Sequence, residues 1–140
     1  MVKQPSNPMP YHISVHTQQD GGWRREVYHK SLGPDDNVFA YWHVPACDLG
    51  LPLLAQIYHE GLDVHGHQLD TLELELQKLA EYWEVKHVGS SEQIPHSVTQ
   101  PDGTIGQRYV WVCDYLRERV SYVGEAVRVA KESKGVIEIS

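Results

Sequence analysis

Apolar and polar residues alternate over residues 11–17. Tyr11, Ile13, Val15 and Thr17 fall on one side, and His12, Ser14 and His16 on the other. A period of two predicts a half-buried strand. The segment QQDGG that follows supplies a turn, because Gly21 and Gly22 accept positive φ. Residues 23–30 alternate again, with Trp23, Arg25, Val27 and His29 against Arg24, Glu26, Tyr28 and Lys30, so a second strand is expected to return along the first. LGPDDN reads as a loop. VFAYWHV, residues 38–44, is compact and rich in strand-forming residues, and it predicts a third strand. Pro45, Gly50 and Pro52 break any long helix, and residues 53–58 read as a short buried strand or a single helical turn, with the strand preferred.

The period then lengthens. Leu69, Leu72, Leu76, Leu79 and Trp83 are three and four residues apart, which predicts an amphipathic helix running to residue 84 or 85. Asp70 and Glu73 have the spacing of a capping box. GSSEQIPHS, residues 89–97, reads as a loop, and Pro101, Asp102 and Gly103 mark a turn. Tyr109, Trp111 and Cys113 then alternate with Arg108, Val110 and Val112 as a strand. A second helix follows from Asp114 as cap, with its stripe at Leu116, Val120, Val123, Val127 and Ala130. Gly135 is placed for a left-handed C-terminal cap, and Ile137 and Ile139 share one face of a last short strand. Trp42, Trp83 and Trp111 sit in apolar-periodic segments and are expected in the core. Trp23, beside two glycines and two arginines, is the candidate for an exposed contact. These elements predict an α+β fold: one two-layer domain over residues 11–140, a mostly antiparallel sheet packed by two amphipathic helices, behind a proline-rich tail at 1–10.

Composition narrows the function. The 140 residues suit one domain, with no internal repeat. The net charge of −7, with Arg24-Arg25 the one adjacent basic pair, argues against a nucleic-acid partner. No apolar run approaches the ~20 residues needed to span a bilayer, so no membrane partner is expected. Two cysteines make no disulfide framework, and no apolar signal core opens the chain, so the expected place is the cytoplasm. Cys47 and Cys113 are then expected as small buried hydrophobes. The acid is concentrated: residues 59–84 carry six net negative charges, with Lys78 the single base. Such a helix face aids solubility, or it meets a basic protein partner. On the second view Asp63, Asp70, Glu73, Glu81 and Glu84, with Trp23, are the partner-binding residues.

YHEGLDVHGHQLD, residues 58–70, raises a different chemistry. On a strand, His65 and His67 would share a face roughly 6–7 Å apart, and Asp63 would join them. His59 and Glu60 lie just across Gly61. The alternative reading is therefore a metal-binding protein or metal-dependent enzyme holding a divalent ion such as zinc with His59, Asp63, His65 and His67. Against it, the spacing matches no specific zinc motif. Gly61 and Gly66 can form turns, with the histidines solvated and Asp63 and Asp70 bonded to backbone amides. No nucleophile elbow, Walker loop or dinucleotide fingerprint occurs, so the chain reads as non-catalytic and without a cofactor. A homodimer is also open, with residues 38–44 pairing as an edge strand.

LPLLAQIYHEGLDVHGHQLDTLELELQKL, residues 51–79, resembles a pattern of small bacterial proteins, some of them similar to immunity proteins of polymorphic toxin systems. The resemblance rests on Pro52-Leu53-Leu54, the turn at residues 63–66, Gln68, and Leu72 with Glu75-Leu76. The C-terminal helix followed by a strand also fits. His65 and His67 depart from the pattern. The resemblance implies an interaction protein without a catalytic centre, and it assigns no site residues.

Overall fold

The computed structural model of the chain describes residues 10–140, apart from residues 19, 23, 88 and 90 and the side chains at 20, 59 and 96–99. The tail expected at 1–10 therefore lies, but for Pro10, outside the described residues. In chain order the elements are β1 (Tyr11–Gln18), β2 (Arg24–Gly33), α1 (Asp35–Val38), a π-turn (Phe39–His43), α2 (Val44–Leu49), α3 (Pro52–Glu60), β3 (Leu62–Val64), α4 (Gln68–His87), β4 (Gln93–Thr99), β5 (Ile105–Trp111), α5 (Val112–Ser133) and β6 (Val136–Ile139). No helix among the described residues is long and apolar enough to cross a membrane.

The expected α+β architecture is present. Four strands form one antiparallel sheet in the order β2-β1-β6-β3. Its inner face is built from two cross-strand rows. Val15, Ile137 and Val64 form one, and Ile13, Ile139 and Leu62 the other, and all six are buried. The long helices cover that face with the stripes their spacing anticipates: Leu69, Leu72, Leu76, Leu79 and Trp83 on α4, and Leu116, Val123, Val127 and Ala130 on α5. Each buried leucine contributes about 1.5–3 kcal/mol relative to exposure.

Three segments differ from expectation. Residues 38–44 are helical, so no edge strand forms there for a twin to pair with. The deciding spacing is four: Val38, Trp42 and Ala46 make one buried stripe, while Phe39 and Val44 face outward. Pro45 lies within the helical stretch, where it cannot donate to the carbonyl of Tyr41. Trp83 Nε1–H donates to that carbonyl at 2.8 Å instead. Residues 53–58 are also helical. Pro52 opens α3 at its first position and Gly50, at φ 70°, closes α2, so the supposed breakers are start and stop signals. Finally, much of the loop expected at 89–97 is β4, which pairs with β5 in a separate two-stranded sheet.

The caps differ as well. Asp70 lies in the first turn of α4 rather than before it, and Trp111, not Asp114, precedes α5. At the other end of α5 Lys134 takes the left-handed conformation (φ 55°, ψ 38°), and Gly135 N–H bonds the Ala130 carbonyl at 2.9 Å, a Schellman closure. Gly135 is needed for space: a Cβ there would meet the His16 carbonyl oxygen and Val15 Cγ1 at 2.9 Å each.

Glu75, counted above with the acidic helix face, points inward and is buried. Its Oε1 accepts the N–H groups of Leu53 and Leu54 at 3.0 Å each, and Oε2 lies 3.3 Å from the Leu53 nitrogen. Those amides are the unpaired donors of the first turn of α3, which Leu51 at the cap position leaves unserved.

Glu75→Ala strands these amides and removes a buried charge-assisted cap, so denaturant unfolding is expected to show a loss of about 2–3 kcal/mol. Glu75→Gln, which keeps an acceptor, should lose only about 1 kcal/mol. Conversely, Lys134→Gly relieves a left-handed side-chain conformation and should stabilise by about 1 kcal/mol. A lower midpoint would show that Lys134 is not held at positive φ.

Candidate functional site

The sequence-predicted acidic residues do not form one open face. α4 and α5 run antiparallel, and an ion-pair clasp closes each end. At one end Lys131 Nζ lies 2.7 Å from Asp70 and 3.6 Å from Glu73. At the other, Arg117 bonds Glu84 through two nitrogens, at 2.6 and 2.8 Å. Lys131 holds the Asp70 carboxyl below its usual range, and Arg117 does the same for Glu84. Asp63 on β3 and Glu81 on α4 are exposed, with no ion pair among the described residues. Leu74, 60% exposed, and Val85, 86% exposed, share the outer side of α4 with Glu81. Trp23 lies outside the described residues.

The histidine-rich turn is open. β3 ends at Val64, so His65 and His67 leave the strand geometry that would have set both rings on one face. Gly61 and Gly66 take positive φ, at 71° and 58°, and His65 and His67 are exposed. Asp70 turns to Lys131 rather than to backbone amides. No group of three His, Cys, Asp or Glu residues able to hold a metal occurs among the described residues, which do not include the side chain of His59.

Other histidines are brought together by the sheet. On the face away from the helices, His29 Nδ1 lies 2.7 Å from Glu26 Oε1 and His29 Nε2 lies 3.2 Å from His12 Nδ1. Beside them, His16 Nε2 lies 3.0 Å from the Ser14 hydroxyl, and Glu138 joins Arg24 at 3.3 Å. Two of these contacts, His29 with His12 and Arg24 with Glu138, tie different strands together across this polar face.

The least expected surface is the β4–β5 hairpin. Ile94 and Val110, directly opposite one another, turn toward the core: Ile94 is buried and Val110 half-buried. The alternate positions of β5 therefore turn outward. Ile105 is 76% exposed, Tyr109 65% and Trp111 49%. Gln93 stands opposite Trp111, and Pro95 opposite Tyr109. Trp111 is thus not in the core, unlike Trp42 and Trp83, whose rings meet edge to face at 5.0 Å. The alternation in residues 108–113 was legible, but not which side faced inward. No protein-family model, curated protein or solved structure matches this chain.

The hairpin is fastened at both ends. At the tip, the Gly103 amide bonds the Gln100 carbonyl at 2.9 Å, and Asp102 accepts the Thr104 amide at 2.9 Å. These Thr104 donors, its hydroxyl first, lower the Asp102 pKa. At the base, Val112 N–H bonds the Glu92 carbonyl at 3.1 Å, while the Tyr41 hydroxyl donates to Glu92 Oε1 at 3.1 Å. His87, buried, sets its Nδ1 3.8 Å from Glu92 Oε2. Burial pushes the Tyr41 hydroxyl up to about 12, helped by Glu92, and pushes the His87 imidazole down, against the pull of Glu92.

A depressed histidine pKa sets the direction of a pH effect. Above about pH 6.5 His87 is neutral in both folded and unfolded chains. As the pH falls below that value, the unfolded chain takes up a proton that the folded chain resists, and stability is lost until the folded group also protonates. Thermal midpoints should therefore fall as the pH drops below about 6.5, and His87→Gln should make that fall shallower. Identical slopes for the two proteins would remove His87 from the account.

Proposed function

We propose that this chain is a non-catalytic, cytoplasmic protein-binding module that grips its partner with the outer face of the β4–β5 hairpin. The observation that carries this reading is the exposed row of Ile105, Tyr109 and Trp111 on a hairpin fixed at base and tip. Large aromatic side chains on a pre-ordered element supply contact area at small entropic cost, and such residues dominate binding energy at interfaces. Charge supports a basic partner. Residues 93–111 contain one acid, Asp102, and one base, Arg108, so the whole net charge of −7 lies outside the hairpin. A neutral arm makes the contact, and an acidic body, with Asp63, Glu73 and Glu81 exposed on it, steers a basic protein toward the arm. An immunity-type protein, which must hold a toxin tightly without chemistry, is one use that suits this division.

Capture from lysate of the native host, with bound proteins identified by mass spectrometry, tests the reading. The unaltered chain should retain a defined basic protein at moderate salt. Tyr109→Ser with Trp111→Ser should lower its affinity by at least about tenfold, since anchors of this kind each contribute on the order of 2 kcal/mol. Glu73→Lys with Glu81→Lys should slow association most at low salt. Equal capture by all three proteins would overturn the assignment of both surfaces.

A further inference from the structure

The helical stretch over residues 35–49 carries a side-chain pair that binding through the hairpin does not use. His43 and Cys47 are four residues apart, so they lie on one side of the helix. The Cys47 sulfur is 3.7 Å from His43 Nε2. The other ring nitrogen, Nδ1, is 3.1 Å from the Ala55 carbonyl oxygen on α3. A carbonyl only accepts, so Nδ1 carries a proton, and Nε2 is the ring nitrogen that faces the thiol. Two aromatic rings, themselves 4.9 Å apart, pack against the imidazole. Phe39 stacks on it at 5.6 Å and Tyr58 meets it at 5.3 Å, while the Tyr58 hydroxyl is itself tied to Asp35 at 3.2 Å. His43 is half-buried and Cys47 is exposed, against the expectation that both cysteines pack as small hydrophobes; Cys113 is half-buried. A nucleophile, a base and a group that orients the base are thus in one place.

We propose that Cys47 is a reversible thiolation site, primed by His43 for exchange with low-molecular-weight disulfides. His43 Nε2 takes the thiol proton. The Cys47 sulfur attacks one sulfur of the disulfide, a new S–S bond forms and the old one breaks, and the departing thiolate takes the proton from the imidazolium. One protein thiol and one small disulfide give one mixed disulfide and one small thiol, with no other oxidant. The remaining cysteine, Cys113, lines a different groove with Trp83 and Leu116, between α4 and α5. The product is therefore a mixed disulfide with the small thiol, reversed by excess thiol.

The test treats the full chain with glutathione disulfide and follows adduct formation by intact mass and peptide mapping. Cys47 should be modified first, and Cys113→Ser should leave its rate unchanged. His43→Asn retains a donor near Nδ1 for the Ala55 carbonyl but has no base at Nε2. It should slow the reaction by at least about tenfold. Should that variant unfold, the unaltered chain still decides the matter: Cys47 must react faster in the folded protein than in urea-unfolded protein at the same pH. Equal rates in the folded and unfolded chains, equal rates with and without His43, or an adduct confined to Cys113 would each overturn the proposal.

Discussion

The Glu75 carboxylate is the contact on which the placement of the middle of the chain depends. It reaches from α4 across 21 residues of sequence to the Leu54 amide and, beside it, the Leu53 amide. A charge buried this deeply is costly alone, and the cost is offset only where donors and a favourable dipole converge on it. The start of α3 supplies both. Pro52 at its first position has no N–H to place there, and the next two amides point at one carboxylate. Once α3 is fixed, so is much else: Leu54 and Ile57 fill the core, the Ala55 carbonyl holds the His43 ring, and Tyr58 accepts a second ring against its own. One ionised side chain thus organises both a packing layer and a surface cluster.

The same economy governs the remaining acid. The run of negative charge over residues 59–84 is divided three ways by the fold: Glu75 goes inward, Asp70, Glu73 and Glu84 meet bases of α5, and Glu60, Asp63 and Glu81 face solvent. Exposed ion pairs add little stability. Placed at both ends of two antiparallel helices, they do favour one alignment of α4 on α5 over its slipped neighbours. Net charge is thereby kept off the helix seam, and the charge that remains is spread over the body while the hairpin stays neutral.

What was legible in the sequence was whatever buries a single periodic face. The stripes of α4 and α5, the alternation of β1, and the paired isoleucines of β6 could be read because each element meets one neighbour on one side. Residues 38–44 misled because Phe39 and Val44, 43% and 40% exposed, disguised a four-residue spacing as a continuous apolar run. The proline at 52 and glycine at 50 were recognised as punctuation but not as the edges of helices. Glu75 could not be told from its solvated neighbours, because its burial depends on a helix end distant in sequence. Likewise, the His43–Cys47 spacing carries meaning only once that stretch is known to be helical. Trp111 shows the limit of alternation: a period of two separates the faces of a strand without saying which is inside.

That ambiguity bears on why the hairpin shows its apolar side outward. A lone two-stranded ribbon is marginal in water, and the simplest remedy is to lay its apolar face on the body. Here the smaller apolar residues, Ile94 and Val110, are laid on the body, while Tyr109 and Trp111 are left in solvent. The order of the ribbon comes instead from polar fastenings: Asp102 and Thr104 at the tip, and Tyr41, Glu92 and the buried His87 at the base. Pro95 removes a donor from β4, whose outer side has no strand partner among the described residues, which discourages pairing by the backbone alone. A ribbon stabilised by other means, blunted at one edge and still displaying its largest aromatic residues, favours a partner that reads side chains over one that merely extends the sheet.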